Sequence, residues 1–176
     1  AIGETLVEEA TLTAVRNARL MLGSGFTSAV SFGSTYKIDV ALRDAISQGS
    51  VIVPRLLAAG RDLGATARNV DSGGGLSQIA DGPWALRKAV REQRKIGVDV
   101  VKIFIDGEAI NKQNPPGELS FTDEEVSAAV AEAHRRGMRV ACHARSAAAV
   151  KQAVRAEVDF IGHANYLDQE AVDMLH

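Results

Sequence analysis

The sequence predicts an α/β protein built around a parallel sheet. Polar stretches of helical period alternate with short β-branched runs along the whole chain, the pattern that a parallel sheet with crossover helices imposes. The β-branched runs begin near residues 26, 55, 99, 138 and 158, each separated from the next by room for at least one helix. Helix punctuation falls between them: Thr122 with Glu125 three residues on is a capping-box pattern, and Gly25, Gly97 and Gly137 follow helical stretches.

Taken in order, Glu8 to Ser24 is expected as a helix with Leu12, Val15, Ala18, Leu20 and Leu22 on one stripe. Phe26 to Phe32 is the first strand, and Gly33 opens a loop. Asp39 is placed to cap a short helix carrying Val40, Leu42, Ala45 and Ile46, and Pro54 to Gly60 forms the second strand. A long loop is expected from Arg61 to Ile79, with Gly73, Gly74 and Gly75 at its centre; loops of that length usually carry function. A helix then runs from Pro83, acceptable in a first turn, through Trp84, Leu86, Ala89 and Val90 to Gly97. The third strand is Asp99 to Ile105, and a second polar loop spans Asp106 to Ser120. Thr122 starts the next helix, Met138 to His143 is the fourth strand, Ser146 caps a helix through Ala156, and Val158 to His163 is the fifth strand. Asp168 caps a last helix. Five such units could complete a doubly wound sheet, whereas a (β/α)8 barrel needs eight strands and about 250 residues. The glycine run does not leave a strand and is not GxGxxG, which argues against dinucleotide binding.

Composition narrows the function classes. With 46% hydrophobic and 24% charged residues among 176, the chain reads as one globular domain, 1–176. Its 20 basic and 22 acidic residues leave a formal charge of −2. The two signs are interspersed, the densest basic run being Arg135-Arg136 with Arg139 nearby, so no nucleic-acid partner is expected. The single cysteine, Cys142, excludes an intrachain disulfide framework. No apolar run approaches the roughly 18 residues of a membrane span, and Ala1 to Glu9 lacks the basic and apolar regions of a signal peptide. The expected setting is therefore cytoplasmic, with a small-molecule substrate and room for a homo-oligomer.

Lys102 is the most informative residue, because it interrupts Val100, Val101, Ile103, Phe104 and Ile105 in a strand expected to be covered on both faces. Its ammonium must snorkel to the rim, find a partner, serve as a Schiff-base nucleophile, or be converted to a carbamate. His143 and His163 end the next two strands. If those strands are parallel and adjacent, all three residues share the carboxyl end of the sheet, where α/β enzymes place their sites. Neutral imidazoles suit a divalent metal such as Zn²⁺, and bound water then becomes a nucleophile near pH 7. Secondary candidates are Arg145, for a substrate carboxylate, and Tyr166, for a substrate carbonyl. Asp106, Glu108 and the Gly73–Gly75 segment are rim candidates, Arg55 reads as structural, and Cys142 reads as a packed thiol.

A resemblance rests on these residues. Gly25-Phe26-Thr27, Leu42-Arg43-Asp44-Ala45-Ile46, Pro54-Arg55, Asp99-Val100-Val101-Lys102-Ile103, Glu132 to Gly137, Ala141-Cys142-His143-Ala144 and Asp159-Phe160-Ile161-Gly162-His163 together resemble the amidohydrolase superfamily, in its imidazolonepropionase-like and Xaa-Pro-dipeptidase-like branch. The resemblance spans nearly the whole chain. It implies a partial (β/α)8 TIM barrel, about strands 2 to 6 with their helices. It also implies one or two divalent ions, with zinc expected, held by Lys102 as a carbamate bridge and by His143 and His163. The implied activity is hydrolysis of a C–N bond, amide or peptide-like, by metal-activated water. The chain departs from the family in lacking a first-strand His-x-His pair and an eighth-strand aspartate; His134 lies inside a helix and His176 ends the chain. Thr66-Ala67-Arg68-Asn69 and Asp106-Gly107-Glu108 stand where many relatives have Gly-Gly-His and Gly-Gly. Because the chain starts at Ala1 and stops at His176 within a helix, it is expected to be the central part of a longer barrel and inactive alone. The alternatives left open are a Schiff-base aldolase-like barrel using Lys102 and a non-catalytic partial barrel that pairs its open edges with another chain.

Overall fold

The computed structural model describes residues 5–68, 71, 75–108 and 114–176. Its order is α1 (Val7–Gly23), β1 (Ser28–Val30), α2 (Ile38–Ser47), β2 (Arg55–Leu57), β3 (Asp62–Gly64), β4 (Ser77–Ile79), α3 (Pro83–Ile96), β5 (Val100–Phe104), α4 (Asp123–His134), β6 (Arg139–Ser146), α5 (Ala147–Arg155), β7 (Phe160–Tyr166) and α6 (Gln169–Met174). Every strand pairing is parallel. One sheet is β1-β2; the other runs β4-β3-β5-β6-β7. The two join where Asp99 N and Val100 N both donate to the Ala58 carbonyl just beyond β2. A continuous wall β1-β2-β5-β6-β7 results, backed by helices, which is a partial (β/α)8 barrel.

All five expected strands form, with the first two shortened to three residues and the last two extended to Ser146 and Tyr166. The Arg61–Ile79 segment corrects the expectation of a plain loop. Gly60, at φ 67, turns the chain after β2. A Cβ there would stand 2.7 Å from Gln93 Oε1 and 2.9 Å from Val98 Cγ1, so only glycine fits. The next residues become β3, which pairs Leu63 with Ile103 and then carries β4 on its outer side. Asp, Gly, Ser and Gln give these strands little intrinsic β preference; the edge of β5 supplies it. Gly73 and Gly74 lie outside the described residues.

Alternation along β5 and β6 divides the side chains between two environments. Val101, Ile103, Ile105, Val140, Cys142 and Ala144 join the apolar core with Leu86 and Val90 of α3, Val126 and Val130 of α4, and Ala149 and Val150 of α5. Each fully buried Val, Leu or Ile of this kind contributes about 1.5–3 kcal/mol. Val100, Lys102 and Phe104 point the other way, in register with Arg139, Ala141 and His143.

Caps at Thr122, Ser146 and Asp168 form as expected, each side-chain oxygen accepting a backbone N–H in the first turn. Asp39 does not cap. It is the second residue of α2, and its carboxylate accepts from Ala59 N at 2.7 Å and Gly60 N at 2.9 Å, tying α2 to the bend after β2. In α1 the sheltered arc is Ala10, Thr11, Ala14, Val15, Ala18 and Leu22, whereas Leu12 and Leu20 are 71% and 61% exposed. At 100° per residue those two leucines fall outside the arc, so the expected stripe is narrower than its apolar content.

Candidate active site at the carboxyl ends of the strands

The candidate site forms where β5, β6 and β7 end. Lys102 projects from β5 into the concave side and is 3% exposed. It does not snorkel to water: Nζ donates to the Phe32 carbonyl at 3.0 Å and lies 3.8 Å from Asp62 Oδ1. The Phe32 and Phe104 rings flank the ammonium at 5.6 and 5.4 Å. Burial drives its pKa below the ordinary lysine value, against the attraction of Asp62. Asp62 is pushed up to about 6, again chiefly by burial, with Lys102 opposing and Asp39 adding to the rise. Among the described residues its Oδ1 has no hydrogen-bond partner.

His143 is fully buried on β6, stacked on Phe104 with ring centroids 3.7 Å apart and planes at 13°. Its Nε2 is 3.1 Å from the Gly107 carbonyl. A carbonyl only accepts, so Nε2 carries the proton and Nδ1 keeps its lone pair. Burial pushes the His143 pKa down to about 4, with His163 and Lys102 adding to the fall. His163 stands opposite Ala144 across β6 and β7. Its backbone is left-handed at φ 77, followed by Ala164 at φ 48, and the pairing register shifts between Ala144 and Ser146. Such conformations cost of order 1–3 kcal/mol each for non-glycine residues and concentrate at functional sites. Here they bring the His163 ring edge-on to His143, centroids 4.6 Å apart. The pKa of His163 is lowered by desolvation and then by the Arg145 and Lys102 cations. Both rings are therefore neutral near pH 7.

The rim is organised by Asp106 and Arg145. Asp106 is fully buried and accepts from the backbone N–H of Arg145, Ser146 and Gly117. The Arg145 guanidinium bridges Glu108, at 2.7 Å, and Asn165, at 2.5 Å, with its side chain 18% exposed. Tyr166 is 55% exposed at the end of β7. Cys142 faces the apolar core, where burial pushes its thiol up to about 12. His134 ends α4 and pairs with Asp159 at 2.9 Å, remote in role from the strand ends. Arg55 is exposed at the start of β2.

Lys102, His143 and His163 are thus gathered in one place, and their donor chemistry fits a divalent metal: two neutral imidazoles, one with its free nitrogen fixed by a carbonyl, beside a buried amine of depressed pKa. Among the described residues no three His, Cys, Asp or Glu side chains close on a single point. Sequence reasoning missed Asp62. Its position inside an apparent loop concealed that it faces Lys102; the only local signal was an acid flanked by Arg61 and Leu63 before the small residues Gly64 and Ala65.

A partial barrel with chemistry at the carboxyl ends of its strands defines a class of α/β barrel proteins whose sites are built there. Within that class the chain belongs to the amidohydrolase family, whose model matches residues 6–175. It is similar to ochratoxinase from Aspergillus niger, with 28% identity over 194 aligned positions covering 94% of this chain and 40% of the relative. A solved Xaa-Pro dipeptidase with bound methionine superposes with a TM-score of 0.90 at 32% identity, covering 99% of this chain and 46% of that one. A prolidase complexed with N-methylphosphonate-L-proline gives 0.90 at 28% identity, covering 99% and 46%. The chain therefore spans less than half the length of these relatives. Among the described residues, no helix is long and apolar enough to cross a membrane.

Proposed function

We propose that these residues are the central part of a metal-dependent hydrolase that cleaves the C–N bond of an amide or peptide-like small molecule, with Lys102, His143 and His163 as metal ligands. The observation that carries the reading is the edge-on approach of His143 and His163, 4.6 Å between centroids, beside a lysine that is 3% exposed. Family membership and the similarity to a prolidase and an Xaa-Pro dipeptidase support the bond class. One or two divalent ions, zinc by the preference of neutral imidazole donors, would supply Lewis acidity toward the scissile carbonyl and lower the pKa of water.

The chain's own residues prepare that chemistry. Gly107 holds the proton of His143 on Nε2, and desolvation together with the Arg145 cation keeps His163 neutral. Burial favours the free amine of Lys102. That amine can add to carbon dioxide: an Nζ–C bond forms, the displaced proton leaves to water, and the carbamate becomes an anionic oxygen donor. At the rim, Tyr166 faces solvent where a substrate carbonyl would approach, and Arg145 would receive a substrate carboxylate by exchanging Glu108 for it.

Zinc titration of the chain and of Lys102→Ala, His143→Ala and His163→Ala tests the ligand set. Each substitution should weaken binding by more than about tenfold; unchanged affinity in all three would overturn the assignment. Hydrolysis of Xaa-Pro dipeptides and N-acyl amino acids should be far slower for these 176 residues than for a chain extended at both ends. Equal rates would remove the proposal that further segments complete the site.

A further inference from the structure

We infer that Asp106 is the positioning residue for His143, fastening the segment after β5 to the end of β6 so that the Gly107 carbonyl stays on Nε2 and Nδ1 is presented to a ligand. The inference rests on the metal-site reading above and names the device that fixes one of its donors.

Four observations carry it. Asp106 is fully buried, and among the described residues its three hydrogen bonds all go to backbone N–H groups. Oδ1 accepts from Arg145 N at 2.9 Å, and Oδ2 accepts from Ser146 N at 2.9 Å and Gly117 N at 3.2 Å. The carboxylate thereby joins three separate stretches of backbone: its own, the last two residues of β6, and the far side of the polar loop. Second, the residue it carries next in the chain is Gly107, whose carbonyl meets His143 Nε2 at 3.1 Å. Third, Gly107 is packed so closely that a Cβ would lie 2.1 Å from the Asn114 carbonyl oxygen and 2.2 Å from that of Pro115. Backbone on one side and imidazole on the other leave its carbonyl little choice of direction. Fourth, Asp106 Oδ1 is itself 3.6 Å from Nε2, too long for a hydrogen bond but close enough for a carboxylate to favour a proton there.

A neutral imidazole holds one proton, and its two nitrogens have similar intrinsic basicity, so the partner of one nitrogen decides which is left to bind a ligand. Asp106→Asn keeps the shape but turns one acceptor oxygen into a donor that faces backbone N–H groups. Either the Arg145 or the Ser146 bond is then lost, and the loop can swing Gly107 away from His143.

The test is the tautomer of His143, read by ¹⁵N NMR of the metal-free chain between pH 6 and 8. Wild type should show Nε2–H in roughly tenfold or greater excess, and Asp106→Asn and Asp106→Ser should both move toward a mixture while Arg145 and Ser146 amides lose protection from exchange. A merely structural Asp106 would lower the melting temperature of both variants and leave the tautomer unchanged, which would overturn the inference. A mixed tautomer in wild type would overturn it without any variant. Addition of zinc separates the two readings: no shift of the His143 Nδ1 resonance would remove the metal assignment, while the tautomer ratio would still decide the role of Asp106.

Discussion

Lys102 Nζ faces Asp62 Oδ1 at 3.8 Å with the two side chains only 3% and 6% exposed. This is a loose buried ion pair, too long for a hydrogen bond, and among the described residues that carboxylate oxygen has no hydrogen-bond partner. Desolvation of two charges in such a place is offset only in part by their attraction.

Removing one member should therefore be worse than removing both. Lys102→Met leaves Asp62 without its cation and should cost about 3 kcal/mol, whereas Lys102→Met with Asp62→Leu should recover most of that loss. Urea unfolding of the two singles and the double, analysed as a cycle, measures the coupling. Additive losses would mean that the two charges do not interact across the 3.8 Å gap.

Gly33 makes a linked prediction. Its φ is +114, and a Cβ would fall 2.2 Å from Asp62 Oδ1. Gly33→Ala should destabilise by about 2 kcal/mol or more, from a disfavoured backbone and a displaced carboxylate together. Adding Asp62→Ala should relieve the clash but not the backbone cost, so rescue measured by thermal unfolding should be partial. Complete rescue would show that the positive φ carries no cost.

The strands that hold the site were legible because their largely apolar runs are long and bounded: Asp99 to Ile105, Met138 to His143 and Val158 to His163 read as strands from composition alone. The alignment of Lys102, His143 and His163 followed, since parallel strands separated by single helices must end on one side. Asp62 did not follow. β3 is three residues, Asp-Leu-Gly, and exists because β5 offers it an edge, a long-range fact absent from local pattern. Asp39 failed for a related reason: a carboxylate beside a helix start has a local use as a cap and a distant one as an acceptor for Ala59 and Gly60, and only the fold brings the second within 2.9 Å. The bend at His163 and Ala164 was equally invisible, because a positive φ is uncommon outside glycine and a histidine followed by an alanine does not mark one.

Glu132 gives the clearest pH dependence. Its side chain is 3% exposed and bound by Arg91 at 2.7 Å, Arg135 at 2.6 Å and Arg136 at 2.7 Å. Arg91 foremost, then Arg136 and Arg135, hold its pKa down to about 2 despite desolvation. A carboxylate whose folded pKa lies below its unfolded value adds stability above the unfolded pKa and loses it as pH falls through the folded one. Wild type should therefore lose stability between about pH 4.5 and pH 2 relative to Glu132→Gln. At pH 7 the variant should be less stable by about 2 kcal/mol, a figure moderated by the solvent around the three arginines. Parallel stability-against-pH curves for the two proteins would contradict the assignment.

Asp99 and Asp159 stand immediately before β5 and β7, the two strands that flank β6, and do the same work twice. Asp99 Oδ2 accepts from Ala58 N at 2.8 Å and from Arg43 Nη1 at 2.6 Å; Asp159 Oδ2 accepts from Val140 N at 2.8 Å and pairs with His134 Nε2 at 2.9 Å. In each case an aspartate accepts a backbone N–H of the neighbouring strand or of the residue that follows it, and ties it to a basic residue of the helix that precedes that strand. The backbone bond should matter more than the ion pair, because Ala58 and Val140 are fully buried while Arg43 and His134 keep 20% and 35% of their side chains exposed. Asp99→Ala and Asp159→Ala should each cost about 2–3 kcal/mol, since an N–H is left buried without an acceptor. Arg43→Ala and His134→Ala should cost about 1 kcal/mol or less. Chemical denaturation of the four variants checks the ordering, and a basic-residue variant as damaging as its aspartate partner would reverse the argument.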